Sequence, residues 1–294
     1  STVQESNMAY PSDIHLLTQL GVKAKKVWAY MQNKFSTFTF EPLIIDLKSI
    51  KQRARDCYFT RTKDKEEKNN KLGDLWSCVF GQVMDVVKRI EILDDYDFQN
   101  MPWNIRRLAQ QLKSHAHDYF IDVTNFLLRG SMESSKRLSF HLNEIACINK
   151  NKPGKKYQFG RVFQLARVKG NFLFTGKCDT PNQSDKHSIK MILNTHAKIF
   201  SNKQIESVTT DKGYYSAKNE QVMAEYNIKE IGIQRPLNVK RNKVNELSEQ
   251  RMNELINRRA GIEPLIGHAK HNGQLGRSRM KSDRTIEASG FGSI

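Results

Sequence analysis

The sequence predicts an α/β fold with a mixed sheet, joined to a large helical region. Three observations carry that prediction. Residues from about 13 to 132 read with helical periodicity. From about Leu138 the chain turns to short strand-like runs separated by turns. Beyond these, helical and strand-like segments alternate, which is the pattern of an α/β layer rather than a bundle or sandwich.

In the helical region, "WSCVFGQVMDVVKRIEIL" sets Trp76, Val79, Phe80, Val83, Val87 and Ile90 on one face. "MPWNIRRLAQQLKSHAHDYFIDVTNFLL" repeats that texture behind a Pro102 start signal. Between Lys48 and Lys71 lies a polar stretch rich in Lys and Arg, readable as a solvated helix face or as a surface that tracks phosphates. His115 and His117 stand two apart, a spacing that points their rings in different directions on a helix and suits surface residues.

Three strand-like segments follow. "RLSFHLNEIACIN" and "YQFGRVFQLARV" flank the turn "KNKPGKK", and "FLFTGKC" follows the tight turn "KGN", giving an antiparallel meander. "SDKHSIKMILNTHAKIF" reads as a helix with Ser184 as N-cap and Ile189, Ile192, Leu193 and Ala197 on one face. "QIESVTTD" is a short strand ending in an acid, "SAKNEQVMAEYN" a helix, and "IKEIGIQRP" a strand stopped by Pro236. A basic helical segment closes the chain.

Composition narrows the partners. The 294 residues carry 48 Lys and Arg against 31 Asp and Glu, a net charge of +17 that concentrates polyanions. Nucleic acid is the commonest such partner, with membrane surfaces and ribosomal RNA as alternatives. Cys57, Cys78, Cys147 and Cys178 form no C-x-x-C pair, so buried reduced thiols in a reducing cytoplasm are expected and a zinc ribbon is not. No apolar run is long enough to span a bilayer. The chain opens at "STVQES" and closes at "SGFGSI", abrupt ends that lead us to expect a fragment.

Two acids stand out. Asp211 ends the strand "IESVTT" and begins "DKGYYS", where open α/β sheets place their sites, although a turn or N-cap Asp would look the same. Glu263 is the one acid in "NRRAGIEPLIGHAKH", 52 positions later. On an unbroken helix Arg259, Glu263 and Lys270 fall within about 40° of one another. They flank an apolar stripe of Leu255, Ile262, Leu265, Ile266 and Ala269. Pro264 should kink that helix, leaving Arg259 better aligned with Glu263 than Lys270 is.

"TTDKGYYS" followed by "RRAGIEPLIGHAK" resembles the second Asp and the Glu of bacterial insertion-sequence transposases of the DDE class. Many of these carry a helix signature of Tyr, Arg, Glu and Lys. Arg259, Glu263 and Lys270 match its last three members, and Ile256 stands at the Tyr position. "SFHLNEIACINKNKPGKKYQFG" resembles a second stretch of the family. The resemblance implies a ribonuclease-H-like mixed sheet with flanking helices. Residues 1–12 would hold its first strand, 13–134 a helical insertion, and 135–294 the catalytic domain. It implies cleavage of DNA ends and strand transfer with Mg²⁺ or Mn²⁺ held by Asp211 and Glu263, and Arg258, Arg259, Lys212 and Lys270 on phosphates. The implied partners are double-stranded DNA and a second copy of the chain, in a nucleoid-associated bacterial cytoplasm. The family's first Asp directly precedes a stretch like "STVQESNMAYPSD", so its place here is the position before Ser1. Glu144, Asp179 and Asp185 are the substitutes within the sequence. The rival readings are an inactive DNA-binding remnant and a basic RNA-associated structural protein.

Overall fold

The computed structural model describes residues 1–8, 10–34, 43–130, 136–149, 157–201, 203–233 and 247–294. It divides into two compact units, one of Ser1–Asn7 with Glu144–Ile294 and one of Met8–Asn143. In chain order, the second unit interrupts the first. The turn expected at 150–156 and the Pro236 strand stop lie outside the described residues.

Among its described residues the unit of Met8–Asn143 has only helices as regular elements: α1 (Asp13–Lys34), α2 (Leu47–Tyr58), α3 (Lys65–Ile92), α4 (Asp95–Gln99) and α5 (Trp103–Arg129). Its core comes from apolar residues spaced at helical intervals. Leu17, Leu20, Ala24 and Val27 of α1 meet Val79, Val83 and Val86 of α3 and Ala109, Leu112 and Ala116 of α5 with no exposed surface. Trp76 and Phe80 stack at 4.8 Å on the margin of that core, with Phe120 edge-on to both. Asp64 and Asp94 cap α3 and α4 by accepting first-turn amides, and Gly130 ends α5 in the left-handed conformation.

Among its described residues the other unit carries seven short strands in three small sheets. β1 (Thr2–Glu5) and β2 (Ala146–Asn149) flank β3 (Tyr157–Phe163), both antiparallel to it. Gly160 is required at the centre, because a Cβ there would lie 2.0 Å from the Gln4 carbonyl oxygen. β4 (Leu165–Arg167) pairs antiparallel with β5 (Leu173–Thr175), and β6 (Ser207–Thr210) pairs parallel with β7 (Glu230–Ile233). The expected meander therefore breaks. Buried Gln164 separates β3 from β4, and its amide donates to Gln183 O and Asp185 Oδ1 rather than joining a strand ladder.

Four helices and a further C-terminal one complete the unit: α6 (Ile189–Ile199), α7 (Ala217–Glu225), α8 (Glu249–Ala260), α9 (Ile262–His271) and α10 (Asp283–Gly292). Ser184 precedes only a short 3-10 turn, Asp185–His187, and α6 starts one turn later. α7 crosses from β6 to the parallel β7, as a parallel pair needs. Glu144 lies in a bend before β2, not midway along a strand. All four cysteines are free; Cys178 is buried as expected, but Cys147 is exposed because it points away from the buried side of β2.

Candidate active site

β6 stops at Thr210, and Asp211 follows in extended backbone as the cap of a 3-10 turn, Lys212–Tyr214. Its Oδ1 accepts the Lys212 amide at 2.8 Å, which fixes the carboxylate against its own turn. Its Oδ2 lies 3.9 Å from Arg259 Nη1. Asp211 is 66% exposed and Arg259 30% exposed, so this pair contributes at most about 1 kcal/mol. The contact positions charge more than it stabilises the fold.

Arg259 is delivered by α8, which is tied down at two points. Leu255 is buried against Gly232 of β7. Arg251 grips Glu230 of β7 through both carboxylate oxygens, at 2.9 and 2.8 Å. That hydrogen-bonded clamp holds the Glu230 carboxyl below its ordinary range.

The helix break falls at Gly261, not at Pro264. The Arg167 guanidinium occupies the space a Cβ would need at Gly261, with Nη1 at 2.0 Å from that position. Pro264 then stands third in α9, where its missing N–H has no intrahelical acceptor to lose. The break puts Arg259 and Glu263 on different helices. Glu263 and Lys270 share α9, seven residues apart on one face, while Arg259 belongs to α8. Glu263 sits in the first turn of α9, where the helix dipole also favours an acid.

Asp211, Glu263, Arg258 and Arg259 line one groove of about 470 Å³, together with Ser1, Arg167 and Tyr214. Its floor is apolar, built from residues such as Leu165, Ile189 and Ile262. Lys212 and Lys270 are exposed outside it. Among the described residues, no group of three or more His, Cys, Asp or Glu side chains is close enough to hold a metal ion.

Beneath Asp211 lies a polar network that the sequence did not reveal. Tyr214 donates its hydroxyl to Gln164 Oε1 at 2.5 Å. Gln164 donates in turn to Asp185 Oδ1 at 3.1 Å. Burial, followed by the charges of Asp185 and Asp211, pushes the Tyr214 phenol well above its ordinary range, so it stays protonated. The Ser1 nitrogen is 3.2 Å from the Tyr214 hydroxyl, which puts the start of β1 beside the end of β6. Arg167, Tyr214 and Gln164 had no local signature; each gains its place only through the packing of separate elements.

A sequence profile for the family described as transposase DDE domain matches residues 118–292, more than half of the chain. No curated protein and no solved structure matches. No helix among the described residues is long and apolar enough to cross a membrane.

Proposed function

The chain belongs to the transposase DDE domain family, and from that premise we propose that it cleaves DNA ends and transfers the freed strand through the groove holding Asp211 and Glu263. One observation carries the reading. Two acids 52 positions apart, on a strand end and on a helix, line a single groove beside Arg258 and Arg259. Attack at phosphorus needs carboxylates and phosphate-binding cations together.

The donor set suits a hard divalent ion. Asp211 and Glu263 offer carboxylate oxygens, and Mg²⁺ is commonly held by one or two carboxylates with water and substrate phosphates completing its shell. Such an ion, Mg²⁺ or Mn²⁺, supplies Lewis-acid stabilisation of charge at phosphorus when bound. The chain's own residues do the rest. Arg258, Arg259 and Arg167 face the groove and pair with phosphate oxygens. The Lys212 amide fixes the Asp211 carboxylate. Tyr214, held protonated, is a positioning donor and not a base.

The fold we assign is ribonuclease-H-like. The antiparallel β1, β3 and β2, followed by a parallel pair joined by α7, support it. Ser1 lines the same groove as Asp211 and Glu263, so an acid joined to its nitrogen, as the family resemblance has it, would stand beside them. DNA is double-stranded at both element end and target. Joining two ends at one target calls for two copies of a one-site chain, hence a homodimer. The DNA substrate and the +17 charge support a nucleoid-associated cytoplasmic location.

The test is nicking of the element's own ends by a chain carrying Asp directly before Ser1, assayed with and without Mg²⁺. Cleavage should require the ion, and Asp211→Asn or Glu263→Gln should lower it by about a thousandfold, roughly 4 kcal/mol of transition-state stabilisation. DNA affinity should hold in both variants. Binding with no cleavage in the Asp-bearing chain would favour the second reading, an inactive DNA-binding remnant.

A further inference from the structure

Outside the stretch matched by the family profile, α5 presents a polar stripe to a second groove. Trp103, Arg106, Arg107, Gln110, Ser114 and His115 follow helical spacing along one face and line a cavity of about 450 Å³. Phe98 and Phe140 form the opposite walls. Among the described residues, no carboxylate lines it. A merely solvated helix face would mix acids with bases, yet α5 has no acid from Trp103 to His117. Arg106 and Arg107 even stand in its second turn, near the dipole end that disfavours cations.

The groove's cations are held in place by their neighbours. Arg106 is held by two bonds to Gln99, from Nη1 to the carbonyl at 2.8 Å and to Oε1 at 2.9 Å. Arg107 stacks over Trp103 with its guanidinium 4.8 Å from the ring centre, and Trp103 is 65% exposed. His115 Nδ1 is buried with no hydrogen-bond partner among the described residues. Lys23 donates to the neighbouring Gln111. Burial, then the charges of Arg107 and Lys26, depress its pKa to about 8.

We propose that this groove binds a short segment of single-stranded DNA, with phosphates on Arg106 and Arg107 and a base stacked on Trp103. The choice of DNA rests on the reading above; the site itself does not. Trp103 to His115 spans about 18 Å along the helix, the length of a few nucleotides. An exposed ring backed by a cation is a sequence-tolerant platform for a base. The Gln110 and Gln111 amides, one turn on from the arginines, suit base edges. In a duplex the base faces are already stacked on neighbouring pairs, which leaves Trp103 without a stacking partner.

The test is fluorescence anisotropy of labelled (dT)6 with the full chain, against a duplex of equal length and a hexaglutamate competitor. Single-stranded DNA should bind more tightly than the duplex. Trp103→Ala and Arg107→Glu should each weaken it at least fivefold with unchanged circular dichroism. Equal affinity in both variants and the parent overturns the proposal. So does hexaglutamate competing as well as DNA, which would mark a general anion groove or a peptide site. The two readings fail separately. Asp-dependent nicking with (dT)6 binding insensitive to Trp103 sinks the groove alone, and Trp103-dependent binding without nicking sinks the catalytic reading alone.

Discussion

Lys23 shows how the helical unit carries charge that its fold does not neutralise. The half-buried ammonium faces Arg107 and Lys26, and its pKa falls from 10.5 to about 8. The sign follows from the proton count. Between pH 8 and 10.5 the unfolded chain holds a proton the folded chain has released, so stability rises with pH through that window. Below it the folded chain bears the full penalty. We expect Lys23→Met to raise stability at pH 7 by about 1 kcal/mol, after discounting for solvent screening. The rise between pH 8 and 10.5 should flatten in the variant. Urea unfolding at several pH values measures both effects, and an unchanged slope would show that Lys23 is not the titrating group. The Asp211–Arg259 pair behaves oppositely: its charges compensate, but exposure makes it energetically small.

At the level of elements, the junction of α8 and α9 sets the groove's geometry. Arg167 lies against Gly261, so Gly261→Ala must push the guanidinium aside. A long side chain yields easily, and we expect little loss of stability, under about 1 kcal/mol. Cleavage should fall severalfold because a phosphate-pairing cation has moved. A large drop in melting temperature instead would show that the junction is structural. This junction also marks where sequence reasoning ran out. Periodicity gave the helical texture on both sides, and the lone acid among bases drew attention to Glu263. The break was placed at Pro264 because proline disrupts a helix interior. The proline acts four residues back instead: its missing N–H and its ring are incompatible with the Ala260 carbonyl, so α8 ends there, and Arg167, from a strand almost a hundred residues earlier, packs against Gly261. The break of the meander at Gln164 has the same character. A polar residue in a strand-like run reads as outward-facing, whereas here it is buried by partners from other elements. The α3 core positions Val79, Val83, Val87 and Ile90 were legible because local periodicity alone decides them.

For the whole molecule, charge and sequence-distant convergence matter most. From Arg235 to Ile294 there are twelve Lys and Arg against six Asp and Glu, and the chain's net charge is +17. If this surface tracks phosphates, log affinity for duplex DNA should fall linearly with log salt, with a slope of about −4 or steeper. Affinity flat between low and high salt would remove the electrostatic account. The central claim is that Asp211 and Glu263, brought into one groove by separate elements, act as a single cation site. Mn²⁺ binding followed by paramagnetic resonance tests it most directly, using the parent chain, Asp211→Asn, Glu263→Gln and the double variant. One site should weaken by at least tenfold in either single variant, with little further loss in the double, because both carboxylates serve one ion. Independent, additive losses, or binding indifferent to both substitutions, would contradict it.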